Sequence, residues 1–337
     1  MSKYNIAEKK FGKYDSIILS DSTEGTSFKI NLQGATSLKY LIPVNGKLFN
    51  IFDGYGTPDE FEEADGARCW IMAPFANRIP EGIYNFQNNS YQLEPVPSKN
   101  QVIHGFTSFE KFEVSESNIT DSFVEVVLTT KKIRPGVFKG FPFSLDVSVK
   151  YKLEGLKISV QVIAYNIGPN AAPFGTGWHP YLKTSDNGIE NLILTIDADG
   201  IIQLDERLIP LAGKEAYAEI DKYPDLDFRS SQTKDKRTIN GKILDNCFTQ
   251  LKPNSDGYFK ASIFDPDNGM EISMFQKGGV TLAYSGDTIK ARRRNSIALE
   301  PMQFITNAFN REELKDKIKI LPGEKSIFEF GIGVKKS

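Results

Sequence analysis

Residues 143–165, FSLDVSVKYKLEGLKISVQVIAY, decide the fold class. Leu145, Val147, Val149, Tyr151 and Leu153 alternate with polar residues. Glu154-Gly155 turns the chain, and Leu156, Ile158, Val160, Val162 and Ala164 alternate on the return. A period of two on both arms, with a glycine turn between them, spells a long antiparallel hairpin with one buried face. The same grammar recurs on either side. Short strands separated by turns are predicted over 17–52, where Phe28, Ile30 and Leu32 alternate and Asn45-Gly46 signals a hairpin turn. Residues 83–93 read as a second hairpin around Asn88-Asn89. Further strands are predicted at 190–197, 200–205, 258–264, 270–275, 279–285, 296–300 and 326–334, with a turn at Asp267-Asn268-Gly269. Helices are scarce. The acidic patch Asp59 to Asp65 is the best short-helix candidate, expected as a solvated face, and 310–318 has room for two turns at most. Short strands punctuated by Gly, Asn and Asp imply an all-β protein, a large antiparallel sandwich of stacked sheets. No repeat, low-complexity tract or linker divides residues 1–337, so one domain is expected.

Composition removes several function classes. Net charge is −2, which gives no global basic field for nucleic acid or anionic lipid. Arg292-Arg293-Arg294 is the one dense cationic run. It fits either a solvated loop or a phosphate clamp. Two cysteines, Cys69 and Cys247, are too few for a disulfide framework. With only two histidines and no CxxC pair, no metal is expected either. No Gly-rich phosphate loop, P-loop or GxSxG elbow occurs, so no cofactor is expected. The first residues carry no apolar signal-like core, and no apolar run approaches about 18 residues. A cytoplasmic enzyme with no membrane contact is the expectation.

The two histidines are the first suspects for proton transfer near neutral pH. His179 lies in AAPFGTGWHPYL (171–182), among Trp178, Pro180 and Tyr181, a setting that suggests a partly dry pocket wall. His104 lies in QVIHGF (101–106), in a loop. Each could equally be a core histidine with satisfied nitrogens. Asn77-Arg78 sits in MAPFANRIPEG (72–82), a loop stiffened by two prolines, suited to clamping hydroxyls or an anion. An arginine bonded to nearby carbonyls fits as well. Glu300 ends an apolar strand before Pro301, where desolvation raises a carboxyl pKa and makes a better base. A capping or salt-bridged glutamate is the alternative. Asp245 in ILDNCF reads either as a ligand-binding group or as an Asx turn ahead of Asn246.

Taken together and in order, NRIPEGIYNF with YQL, then VIHGF, GWHPYL, LDNCF, LEPMQ and NAFN resemble the aldose 1-epimerase (galactose mutarotase) family over roughly residues 70 to 330. The resemblance implies a large β-sandwich and an isomerase that interconverts the α and β anomers of a free aldose. It implies Glu300 as the base on the C1 hydroxyl, His179 as the acid on the ring oxygen, and His104 as a second histidine near that oxygen. Asn77, Arg78 and Asp245 match positions that hold sugar hydroxyls, and Gln276 matches a further polar contact. The partner is then a small monosaccharide, with the protein a monomer or homodimer. The chemistry fits independently: a carboxylate and an imidazole, on opposite sides of a neutral substrate, suffice to remove one proton and deliver another. Two other readings share the fold. A hexose-6-phosphate 1-epimerase needs Arg292 to Arg294 at the pocket mouth, and a non-catalytic sugar binder needs no acid–base pair.

Overall fold

The computed structural model describes residues 3–95 and 102–336, so Gln101 of the QVIHGF stretch lies outside the described residues. The predicted long hairpin is present: Leu145–Glu154 pairs antiparallel with Lys157–Asn166, from Leu145↔Asn166 to Glu154↔Lys157. Leu145, Val147, Val149, Tyr151, Leu153, Ile158, Val160, Val162 and Ala164 are buried, and the residues between them are partly or fully exposed. The hairpin sits in an eight-stranded sheet with the order Ile193–Ile196, Phe259–Phe264, Glu271–Gln276, Lys325–Lys335, Lys157–Asn166, Leu145–Glu154, Val124–Ile133 and Glu113–Ile119. A five-stranded meander, Tyr4–Phe11 to Lys47–Asn50, forms a second sheet. The third sheet carries the site. It runs Tyr217–Glu219, Ala198–Ile202, Asp245–Leu251, Val280–Tyr284, Ile297–Met302, Gly177–Trp178 and Ile71–Met72, with Tyr181–Leu182 also on Ile297–Met302. The all-β antiparallel architecture is therefore as expected.

One face of the site sheet closes the core against the eight-stranded sheet. Thr281, on Val280–Tyr284, donates to Gln276 Oε1 across that interface at 2.9 Å. Trp178 packs into the same core, 5.6 Å from Phe52 and 5.7 Å from Phe330 between ring centres. Trp178 thus belongs to the core and not to the pocket wall that its neighbourhood suggested. The opposite face of the site sheet is covered by loops and holds the cavity.

The local details follow turn chemistry. Asn45 and Gly46 both take positive φ between their strands, as an Asn-Gly hairpin turn requires. At 83–93 the left-handed pair is Gln87 and Asn88, one residue earlier than Asn88-Asn89. The acidic patch forms the helix Pro58–Glu63, capped by Thr57, which accepts from the Glu60 amide at 3.2 Å. Strands Tyr4–Phe11, Glu113–Ile119, Val124–Ile133 and Asp245–Leu251 were not expected. Glu113–Ile119 is exposed along its whole length, so it has no buried face to print an alternation on the sequence.

Candidate active site

Strand register assembles the site floor. Cys247, Leu282 and Glu300 stand side by side on neighbouring strands, and Asp245, Tyr284, Ala298 and Tyr181 form the next row. Residues two apart on a strand share a face, so both rows point the same way. The pairings Gly177↔Met302 and Tyr181↔Ala298 carry one register across an interruption at Pro180, and that register puts His179 opposite Glu300. The close fit needs glycine at 177, where an added Cβ would lie 2.8 Å from Met72 Cε and from Pro301 O.

Two loops supply the facing wall. Asn77 and His104 both adopt left-handed backbone, with φ of 59° and 62°. They are tied by the His104 amide, which donates to Asn77 O at 2.9 Å. Gly105 makes this possible: an added Cβ there would fall 2.0 Å from Ala73 O. Arg78 Nη1 donates to Asn77 Oδ1 at 3.0 Å, which holds the guanidinium toward the cavity. The result is a cavity of about 220 Å³ lined by Asn77, Arg78, His104, His179, Asp245 and Glu300 among others. It falls short of the roughly 300–1,000 Å³ of drug-sized ligand sites and suits one small ligand.

Asn77, Arg78, His104, His179, Asp245 and Glu300, six of the seven site residues singled out from the sequence, thus meet at one cavity. Glu300 is 1% exposed. His179 Nε2 lies 3.3 Å from Glu300 Oε1, and the His104 ring packs edge-on to His179 with centres 5.2 Å apart. Glu300 Oε2 is buried without a hydrogen-bond partner among the described residues. The carboxylate and the imidazole touch; they do not face each other across the pocket. Burial, and then the charge of Asp245, push the Glu300 carboxyl well above the usual range, while Arg78 opposes them. Burial also raises Asp245, again against Arg78. Neither carboxyl resembles a solvent-exposed acid, and perturbed groups converging in a cleft mark functional sites.

Several expectations need correction. Asp245 does not head an isolated turn; it opens the strand Asp245–Leu251 and faces the cavity. Gln276 is far from this chemistry: its side chain bonds Gly278 O, Val280 O and Thr281 Oγ1 in the sandwich core. The arginine run is a loop, as expected of a solvated stretch, with Arg292 and Arg293 exposed, but two of its three guanidiniums are held by carboxylates and it does not form a clamp. Arg292 pairs with Asp53 and Glu60, and Arg294 with Glu190 and Asp287. Arg293 is exposed and lies 3.8 Å from Asp287 Oδ1. None of the three lines the cavity. The acidic patch is not simply solvated either. Glu60 holds Arg292, and Asp65 lines the cavity, accepting from the Lys290 and Ala291 amides at 3.2 and 3.4 Å. Tyr181, Tyr284, Thr288 and Ile289 also line the wall. Of these four only Tyr181 had a sequence signal, its place two residues after His179.

The sequence profile of the aldose 1-epimerase family matches residues 15–332. The chain belongs to the aldose 1-epimerase family. An uncharacterized Escherichia coli protein, YihR, is 28% identical over 243 residues, 71% of each chain. The Escherichia coli aldose 1-epimerase is 26% identical over 267 residues, 75% of this chain and 73% of the enzyme. The fold is that of solved family members. Galactose 1-epimerase from Lactobacillus acidophilus superposes with a TM-score of 0.79 at 19% identity, over 100% of both chains. A GalM/aldose epimerase homologue from C. elegans gives 0.77 at 19% identity, over 99% of both. Among the described residues, no helix of this aldose 1-epimerase family member is long and apolar enough to cross a membrane, and no group of acidic, histidine and cysteine side chains is arranged to hold a metal ion.

Proposed function

We propose that the protein is an aldose 1-epimerase acting on a free, uncharged aldose. The observation that carries this reading is the contact between His179 Nε2 and Glu300 Oε1, 3.3 Å, on the floor of a sugar-sized cavity. The two oxygens that change protonation in a cyclic hemiacetal, the C1 hydroxyl and the ring oxygen, are bonded to the same carbon. An acid and a base must therefore reach atoms two bonds apart. A touching pair does this; groups separated by the whole ring would not.

In this reading Glu300 as carboxylate takes the proton of the C1 hydroxyl, and His179 as imidazolium protonates the ring oxygen. The C1–ring oxygen bond breaks and leaves an aldehyde, with Glu300 protonated and His179 neutral. Rotation about C1–C2 presents the other face, and the reverse transfers close the ring as the opposite anomer. His104 hydrogen-bonds the ring oxygen, and Asn77, Arg78 and Asp245 hold the remaining hydroxyls. Polarimetry on freshly dissolved glucose and galactose tests this. A trace no faster than buffer, across a wide panel of aldoses, would remove the proposal.

Charge at the cavity argues for the uncharged substrate. Three carboxyl groups, Asp65, Asp245 and Glu300, face two cations, the Arg78 guanidinium and the His179 imidazolium of the proposed mechanism. A phosphate brought here meets net negative charge, and the one guanidinium lining the cavity, Arg78, is already bonded to Asn77. The expected kcat/KM for glucose 6-phosphate is at least about tenfold below that for glucose, a margin of roughly 1.4 kcal/mol. Equal or faster anomer exchange of the phosphate would reverse the assignment.

The base should also reveal itself in the pH profile. Glu300 works as a carboxylate, so kcat/KM rises as pH climbs through its raised pKa, and the acid limb lies above the ordinary glutamate range. Asp245 raises that pKa and Arg78 lowers it. Asp245→Asn is therefore expected to move the limb to lower pH, and Arg78→Met to higher pH, whatever each does to the height of the profile. A limb that stays in place in both variants would assign the titration to another group.

A further inference from the structure

Arg68 is 1% exposed, yet it does not line the cavity. Its Nη1 donates to Asp53 Oδ2 at 2.6 Å and Asp53 O at 2.9 Å, and its Nη2 donates to Ala291 O at 2.7 Å. Asp53, itself 5% exposed, also accepts from Ser296 Oγ at 2.8 Å and pairs with Arg292 Nε at 2.8 Å. A buried ion pair is weak evidence of a contribution to stability, since desolvation offsets most of the attraction. What this one does supply is a fixed cation beneath an aromatic ring. The Arg68 guanidinium carbon lies 5.1 Å from the centre of the Tyr181 ring.

Tyr181 connects the cation to the proposed chemistry. It is fully buried, and its hydroxyl donates to Gly66 O at 2.9 Å. Its ring stacks on His179, with centres 4.9 Å apart and planes 14° from parallel. His179 in turn meets Glu300. The backbone around Arg68 is unusual as well: Ala64, Gly66, Ala67 and Cys69 all have positive φ, at 54°, 74°, 51° and 57°. Strained backbone persists where its surroundings over-determine it and clusters at functional sites.

We infer that Arg68 is a positioning residue that braces Tyr181, and through it fixes the plane of the His179 imidazole opposite Glu300. Asp53 and the Ala291 carbonyl hold the guanidinium, the guanidinium and Gly66 hold the phenol ring, and the phenol ring holds the imidazole. The inference rests on the proposed epimerase chemistry for its kinetic consequence and not for its geometric one. Lysine cannot reproduce a forked, stacked guanidinium, so Arg68→Lys loosens the brace while keeping the charge. A misplaced acid lowers turnover more than binding, because a shift on the order of 1 Å can cost about 100-fold.

The test combines kinetics with nitrogen NMR of the imidazoles. The chain has two histidines, so His104→Asn assigns the His179 signals directly. In Arg68→Lys, kcat is expected to fall roughly 10- to 100-fold with KM within about threefold. The His179 ring resonances are expected to shift and broaden. Tyr181→Phe keeps the stack and loses only the Gly66 anchor, so its loss should be smaller. If Arg68→Lys does not fold, Arg68→Gln/Asp53→Asn removes both charges of the pair and is read the same way. The inference is overturned if a folded variant leaves the His179 resonances unmoved, or if KM alone changes. A merely structural Arg68 would lower the melting temperature and leave kcat per folded molecule intact. Should the wild type show no anomer exchange, the epimerase proposal fails while the NMR measurement still decides the brace.

Discussion

Replacing Glu300 with Gln is expected to lower kcat/KM for anomer exchange by roughly 10²–10⁴-fold, about 3–5 kcal/mol of transition-state stabilisation. Gln can still accept a hydrogen bond from His179, so the site should keep its shape and lose only the ability to take a proton. The same substitution is expected to leave the protein no less stable, and the sign follows from the titration. Burial first and Asp245 second raise the Glu300 pKa in the folded chain. A group with a raised folded pKa binds its proton more tightly folded than unfolded. The folded state of the wild type therefore loses stability as pH climbs from the ordinary glutamate value of about 4.3 through the raised one. Gln carries no charge to bury. The thermal midpoint of Glu300→Gln at pH 8 should match or exceed that of the wild type, and the advantage should vanish as the pH falls below about 4. Melting curves at both pH values, beside polarimetry on the same samples, test both halves. Activity within threefold of wild type, or a large loss of stability at pH 8, would show that Glu300 is a structural carboxylate.

The opposition between stability and activity at Glu300 explains what could be read from the sequence. The long hairpin was legible because its cause is local: Leu145 to Leu153 and Ile158 to Ala164 each carry their burial pattern within one strand. The strand Asp245–Leu251 was not, because it opens with Asp and Asn, residues that otherwise signal turns, and its pairing with Val280–Tyr284 is set by tertiary contact. The site shows the same division. Glu300 stood out as a carboxyl in an apolar strand, and the two histidines stood out by scarcity. Their contact is a matter of register between strands more than a hundred residues apart, and the resemblance to a family anticipated their meeting where composition could not. Asp65 was marked only as the end of an acidic patch and Ile289 not at all, since they become pocket wall only when the segments around them fold over the site sheet. Likewise the arginine run looked free because its partners, Asp53, Glu60, Glu190 and Asp287, come from other parts of the chain or from across a loop.

His179→Asn is expected to cost about as much as the loss of the base, again roughly 10²–10⁴-fold in kcat/KM. Asn is similar in reach but has no titrating proton, so the ring oxygen would depart without an acid. Because His179 and Glu300 touch and, in the proposed mechanism, transfer protons at two oxygens of the same hemiacetal carbon, the two substitutions should not add. Once the base is gone the acid has no partner step to complete, and the double variant should fall within about tenfold of the slower single variant. Independent groups would instead multiply, to about 10⁴–10⁸-fold. His104 separates the roles further. It packs edge-on to His179 and is proposed to hydrogen-bond the ring oxygen, so His104→Asn should lose only the value of one hydrogen bond, about 10-fold. Polarimetric rates for the three single variants and the double, at saturating and limiting sugar, give the full cycle. If His104→Asn proves the more damaging histidine variant, the acid is His104, and the register that sets His179 opposite Glu300 would be serving orientation instead of proton transfer.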